Sequence, residues 1–198
     1  MARILEFYFD YGSPYSYLAD TQVEAIAKRT GATLQRKPML LGGVFKSTGN
    51  HSPAEMPAKS KWSSFDMPLW ARSYKVPFNR NPHFPVNTLN LMRGAIAAQL
   101  DGLFDRYHPA IFKAMWVDGR NLNDPGEVAK VLTAAGLDAQ KLGSRIGDSD
   151  VKDRLKAVTE EAVQRGVFGA PTSFVDGKMF FGNDRLPFVE LALKGELP

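Results

Sequence analysis

The chain has 198 residues, 44% hydrophobic and 23% charged, with 25 basic against 21 acidic side chains and a formal net charge of +4. It has no cysteine, which excludes a disulfide framework, a thiol nucleophile and any thiolate-bound metal. The length predicts one domain, or one domain with a large insertion. No stretch reaches the roughly 18 apolar residues of a membrane span. The charges are interspersed and no RNA or DNA motif is present, so neither nucleic acid nor a membrane is expected as a partner. The opening MARILEFYFD lacks the apolar core of a signal peptide, and the cytoplasm is the expected location.

Residues 3–9 read as a buried strand. A Gly-Ser-Pro turn follows, and the spacing of Tyr15, Ala19, Val23 and Ile26 predicts a helix over 14–30. Ser13 is placed to cap that helix, Pro14 to open it and Gly31 to close it. Residues 32–38 read as a second strand. The Pro- and Gly-rich run LGGVFKSTGNHSPAEMPAK reads as an extended loop, with helical character from Lys59 to Tyr74. From Val86 to Arg165 the periods are almost all helical, with Asp124-Pro125-Gly126-Glu127 a capping-box-like start. Strand character returns at SFV, Asp176-Gly177, KMFFG, a hairpin with a two-residue turn. A last helix is expected from Asn183 or Asp184. The order is β-α-β, a helical block, then β-β-α.

Four places can carry chemistry. Ser13 is at least a helix cap; its hydroxyl and the amides of the helix mouth are also suited to an anion such as the thiolate of a bound thiol. Ala170-Pro171 lies just before a strand, where a cis bond would leave flanking backbone groups to pair with an extended peptide. Asn183 and Asp184 are caps in the plain reading; alternatively the helix amides hold a carboxylate and Asp184 an ammonium. In the Pro-rich segment Lys46, Asn50 and Lys59 are either solvated or at a ligand, with Lys59 within reach of a substrate carboxylate. Three histidines without ligand spacing predict no metal. The aromatics Trp62, Trp70, Tyr74, Phe84 and Trp116 read as core, or as a pocket wall if the substrate is a flat ring.

Together, FYFDYGSPYSYLA at 7–19, LGGVFKSTGN at 41–50, FPVNTLNLMRG at 84–94 and GVFGAPTSFVDGKMFFGNDRL at 166–186 resemble the 2-hydroxychromene-2-carboxylate isomerases and the related kappa-class glutathione transferases. The resemblance implies an α/β fold: a thioredoxin-like domain made of residues 1–41 and 166–198, with residues 42–165 as a large all-helical insertion and the ligand cleft between them. It implies glutathione as the thiol, held by Ser13 at the sulfur, by Ala170 and cis Pro171 at the cysteinyl unit, by Asn183 and Asp184 at the γ-glutamyl end, and by Asn50 and Lys59 from the insertion. It implies a homodimer and a small aromatic carboxylate substrate. The expected activity is a glutathione-dependent isomerisation by reversible thiolate addition, with Ser13 as the catalytic residue. The alternative is a kappa-class transferase that conjugates glutathione to small electrophiles.

Overall fold

The computed structural model describes residues 2–198. Four strands form one sheet in the order β2-β1-β3-β4, from β1 (Ile4–Phe9), β2 (Thr33–Pro38), β3 (Thr172–Val175) and β4 (Lys178–Phe181). β1 runs parallel to β2 and antiparallel to β3, and β3 is antiparallel to β4. The parallel pair needs a crossover, supplied by α1 (Pro14–Thr30). The β3–β4 pair closes through Asp176-Gly177, with φ of 49° and 77°, the conformation a two-residue hairpin turn requires.

The helix ends follow local chemistry. Ser13 Oγ accepts from the Ser16 amide at 3.1 Å, Pro14 opens α1, and Gly31 closes it with a φ of 67°. Helices α4 (Leu89–Leu100), α5 (Phe104–Trp116), α6 (Pro125–Ala134), α7 (Ala139–Arg145) and α8 (Ser149–Gln164) fill the middle of the chain, and α9 (Leu186–Lys194) ends it. Among the described residues, 41–164 contribute no strand.

Three local expectations are corrected. The run from Leu41 is not an extended loop: Leu41–Thr48 forms α2, a short 3₁₀ turn follows at Pro53–Glu55, and α3 spans Pro57–Tyr74. α2 has no side-chain cap of its own. Its first amides are held from elsewhere in the chain, Leu40 N–H by Thr159 Oγ1 (3.0 Å) and Leu41 N–H by Asp10 Oδ2 (2.8 Å), and Val44 is buried. Tertiary contacts thus override two glycines of low helix propensity. At α6, Asp124 does cap, accepting from Gly126 N–H, but Glu127 turns outward to Lys130 and Arg120, so no reciprocal box forms. Asn183 does not cap the last helix: Asn183–Arg185 is a 3₁₀ turn with no side-chain cap, and α9 begins at Leu186.

Alternation along β1 gives the sheet two buried faces. Leu5, Phe7 and Phe9 enter a core shared with α1, α4, α5 and α9, while Tyr8 packs with Met39, Val44, Val158 and Phe174 under α2 and α8. At the heart of the larger core a polar chain runs from strand to helix. Tyr11 Oη lies 3.1 Å from His108 Nδ1, His108 Nε2 lies 3.0 Å from Asp20 Oδ1 (off the line of an ideal hydrogen bond), and Arg36 pairs with Asp20 at 2.7 Å. Burial alone would raise the Asp20 pKa, but His108 and Arg36 outweigh it and hold the carboxyl below its ordinary value.

Candidate active site

The turn between β1 and α1 builds the floor of a cleft. Asp10, 1% exposed, accepts from Gly12 N–H (2.8 Å) with one oxygen and from Leu41 N–H (2.8 Å) with the other. One carboxylate therefore fixes both the turn that presents Ser13 and the start of α2. Burial pushes the Asp10 pKa up, against the pull of those two amides and of Thr88.

Ser13 is 5% exposed and lines the cleft. Its hydroxyl donates to the Ala170 carbonyl at 3.1 Å while accepting from Ser16 N–H. Pro14 has no amide hydrogen, so the Tyr15 N–H is the open donor of the first helical turn. The Ala170–Pro171 bond is cis, as the sequence predicts. Ala170 joins Ser13 in the cleft wall, and Pro171 lies behind it with its carbonyl accepting from Gly182 N–H at 3.0 Å. The other walls are apolar and aromatic: Phe45, Met67, Phe84, Trp116 and Phe181. Trp116 is held by its indole N–H, which donates to the Tyr11 carbonyl at 2.8 Å.

The remaining predicted residues divide. Asn50 lines the cleft, and its Nδ2 donates to the Phe168 carbonyl at 2.8 Å, tying the rim of the helical segment to the loop before β3. Asn183 is buried, its backbone carbonyl accepting from Tyr74 Oη at 3.0 Å. Asp184 is 45% exposed, 3.6 Å from Arg185. It stands close enough to Tyr15, a cleft residue, to add to the burial and the Asp66 hydrogen bond that raise the Tyr15 pKa. Lys59 does not line the cleft; it is exposed on the first turn of α3. The cation at the wall is Arg80, a residue that no local motif of the sequence singles out. Phe45 was hidden inside the stretch read as a loop.

A Ser-Pro pair opening the first helix of a thioredoxin-type β-α-β, faced by a cis proline before β3, defines a thioredoxin-fold site with serine in the place of the reactive cysteine. The DSBA-like thioredoxin domain matches residues 4–194. The chain is 32% identical to 2-hydroxychromene-2-carboxylate isomerase of Sphingobium xenophagum over 192 residues, 96% of this chain and 97% of that one. It is 28% identical to glutathione S-transferase kappa 1 of Rattus norvegicus, covering 96% and 91%. The solved structure of a 2-hydroxychromene-2-carboxylate isomerase superposes with a TM-score of 0.86 at 28% identity, over 96% of this chain and 94% of that one. Pseudomonas aeruginosa DsbA, at 19% identity and a TM-score of 0.64 over 98% and 86%, shares the fold. The chain belongs to the DSBA-like thioredoxin family, in the branch of the 2-hydroxychromene-2-carboxylate isomerases and kappa-class glutathione transferases.

Proposed function

We propose that this protein is a glutathione-dependent isomerase that interconverts 2-hydroxychromene-2-carboxylate and trans-o-hydroxybenzylidenepyruvate. The observation that carries the reading is the Ser13 hydroxyl at the N-terminus of α1, opposite the Ala170 carbonyl and open to an aromatic-walled cleft. The residues fit a peptide-like thiol. Backbone at Ala170 is available to an extended ligand, and the cleft surface carries no cysteine that would compete in disulfide exchange.

Glutathione, when bound, supplies a thiol whose reversible addition to a conjugated C=C lets the bond rotate as a single bond and then reform, so that the thiol is regenerated. The chain's own residues hold and tune that thiol. Ser13 turns its proton from the Ala170 carbonyl to the sulfur and stabilises its anion. The Tyr15 amide and the partial positive charge of the helix end add to that stabilisation. Lowering an ordinary thiol pKa near 8.5 by about two units takes about 2.7 kcal/mol, the scale of one charge-assisted hydrogen bond plus a helix terminus. Ala170, beside Pro171, pairs with the cysteinyl backbone. Asn183 and Asp184 hold the γ-glutamyl end, and Asn50 holds the ligand from the helical segment. The walls Phe84 and Trp116 exclude water from the reacting carbons.

The second reading is a kappa-class transferase, supported by the 28% identity to the rat enzyme. Both readings share the anionic sulfur and differ in its fate. The deciding experiment counts thiols during turnover of 2-hydroxychromene-2-carboxylate. Isomerisation at constant free thiol supports the proposal. Thiol loss equal to product formed, or turnover only with an aryl halide, replaces it with the transferase.

A homodimer, on the strength of the family, and a cytoplasmic location and the division into a 1–41 plus 166–198 domain and a 42–165 insertion, on the pattern of the sequence, complete the proposal. Molar mass in solution tests the first. Among the described residues no helix is long and apolar enough to cross a membrane.

A further inference from the structure

The residues that line the cleft include one formal charge, the guanidinium of Arg80. No carboxylate lines the cleft, and among the described residues Arg80 pairs with no acid within 4 Å. Its Nη1 instead donates to the hydroxyl of Ser64 on α3, a neutral acceptor that fixes the direction of the fork without spending its charge. The backbone on each side is tethered. Asn79 N–H donates to the Trp116 carbonyl at 2.6 Å, and the side chain of Asn81, 2% exposed, donates to the carbonyls of Met115 and Arg120 at 3.0 and 2.9 Å. Two residues earlier Tyr17 Oη donates to the Pro77 carbonyl at 2.6 Å, and Phe84 of the same loop forms the wall beside Trp116 with ring centroids 5.9 Å apart. Arg80 is therefore a pre-aimed cation at the edge of an aromatic chamber. A backbone held this way keeps the guanidinium beside the chamber when an anion arrives.

We infer that Arg80 binds the carboxylate of the second substrate and sets the site's selectivity for flat aromatic carboxylates, with the ring against Phe84 and Trp116. The inference rests on the proposed function and deepens it, and it moves the role expected of Lys59 onto Arg80. Glutathione also carries carboxylates. They are the other source of the same chemistry, and the chamber favours the substrate because Arg80 shares its loop with Phe84, whose ring packs on Trp116.

The test uses the full chain with Arg80→Gln and Arg80→Lys, and two non-reacting probes of one shape, trans-cinnamate and the neutral trans-cinnamamide, titrated in the presence of glutathione. The wild type should bind cinnamate about ten- to a hundredfold better than the amide, the scale of a charge-assisted hydrogen-bonded pair. Arg80→Gln should erase that preference, Arg80→Lys should keep part of it, and the affinity for glutathione itself should not move. Arg80 is exposed, so both variants should fold, which an unchanged melting temperature verifies. A preference for cinnamate that survives Arg80→Gln overturns the inference. So does a loss confined to glutathione affinity, which assigns Arg80 to a glutathione carboxylate. If the wild type shows the charge preference and loses it in Arg80→Gln while no isomerisation occurs, the inference stands and the proposed function fails. If the wild type isomerises and the substrate KM is unchanged in Arg80→Gln, the reverse holds.

Discussion

Ser13 uses one hydroxyl twice, as acceptor for Ser16 N–H and as donor to the Ala170 carbonyl. Its removal separates a structural from a chemical role. Ser13→Ala should cost about 1 kcal/mol of stability, the value of a helix cap. It should also raise the pKa of bound glutathione by about one unit or more, because a hydrogen bond to a charged group is lost. The ultraviolet thiolate band near neutral pH reports the second effect; an unchanged titration removes Ser13 from the chemistry. Asp184→Asn is the companion experiment. It should weaken glutathione binding about ten- to a hundredfold and leave turnover at saturating thiol largely intact, since the proposal assigns Asp184 to a part of the ligand that does not react. At this scale Ser13 and Ala170 were legible because a Ser-Pro helix start and a pre-strand Ala-Pro are local signals. Arg80 was not, because what distinguishes it is the absence of a neighbouring acid and the tethering of Asn79 and Asn81 by residues far along the chain. Lys59 carries a charge in the same Pro-rich segment, but the fold leaves it exposed on α3 and outside the cleft lining.

Helix α1 shows how an element can be read from its own letters: cap, opening proline, apolar face and closing glycine all lie within residues 13–31. α2 is the opposite case. Its amides are satisfied by Asp10 and Thr159, residues 31 and 119 positions away, so no local pattern announces it. α4 owes its fit to Gly94, where a methyl would run into the Tyr107 ring and hydroxyl. Gly94→Ala should therefore destabilise by about 1–3 kcal/mol through overpacking, seen as a lowered melting temperature, despite alanine's better helix propensity. α9 is tied to the end of α1 by Glu190, whose pKa is pulled down to about 2 by Arg29 and then by Lys194. A carboxylate whose folded pKa lies below its unfolded one adds stability at high pH and loses it on acidification. The advantage of the wild type over Glu190→Gln should be full at neutral pH and shrink as pH falls from about 4.5 toward about 2, the two pKa values of the residue. Half of the Arg29 side chain is exposed, so added salt should also narrow the gap. Parallel thermal melts of the two proteins at several pH values check this; a gap that stays constant down to pH about 2.5 removes the linkage.

Across the whole molecule the apolar core does not respect the boundary between strands and inserted helices. Leu5, Phe7 and Phe9 of β1 share one cluster with Ile111, Phe112 and Trp116 of α5, and Trp116 reaches the Tyr11 carbonyl. Secondary structure and near-ultraviolet aromatic signals should therefore be lost in one coincident thermal transition. Two separated transitions would mean that the helical segment is held by less than this packing implies. The alternation of strand-rich and helix-rich stretches was plain in the sequence, but periodicity names a buried face without naming its partner. The fusion of the two parts could be seen only once the faces met.

The buried chain Tyr11–His108–Asp20 has a spectroscopic consequence. An Asp20 carboxyl held ionised has no proton to give, so the His108 Nε2 that faces it at 3.0 Å carries one, and the Tyr11 hydroxyl closes the other side of the ring at 3.1 Å from Nδ1. That places a ring N–H proton out of reach of water, His108 being 4% exposed. Such a proton should give a downfield NMR line that exchanges with solvent only when the core opens. Tyr11 and Asp20 lie in the N-terminal β-α-β segment and His108 in the helices, so one resonance, native and unlabelled, would time how often the two part.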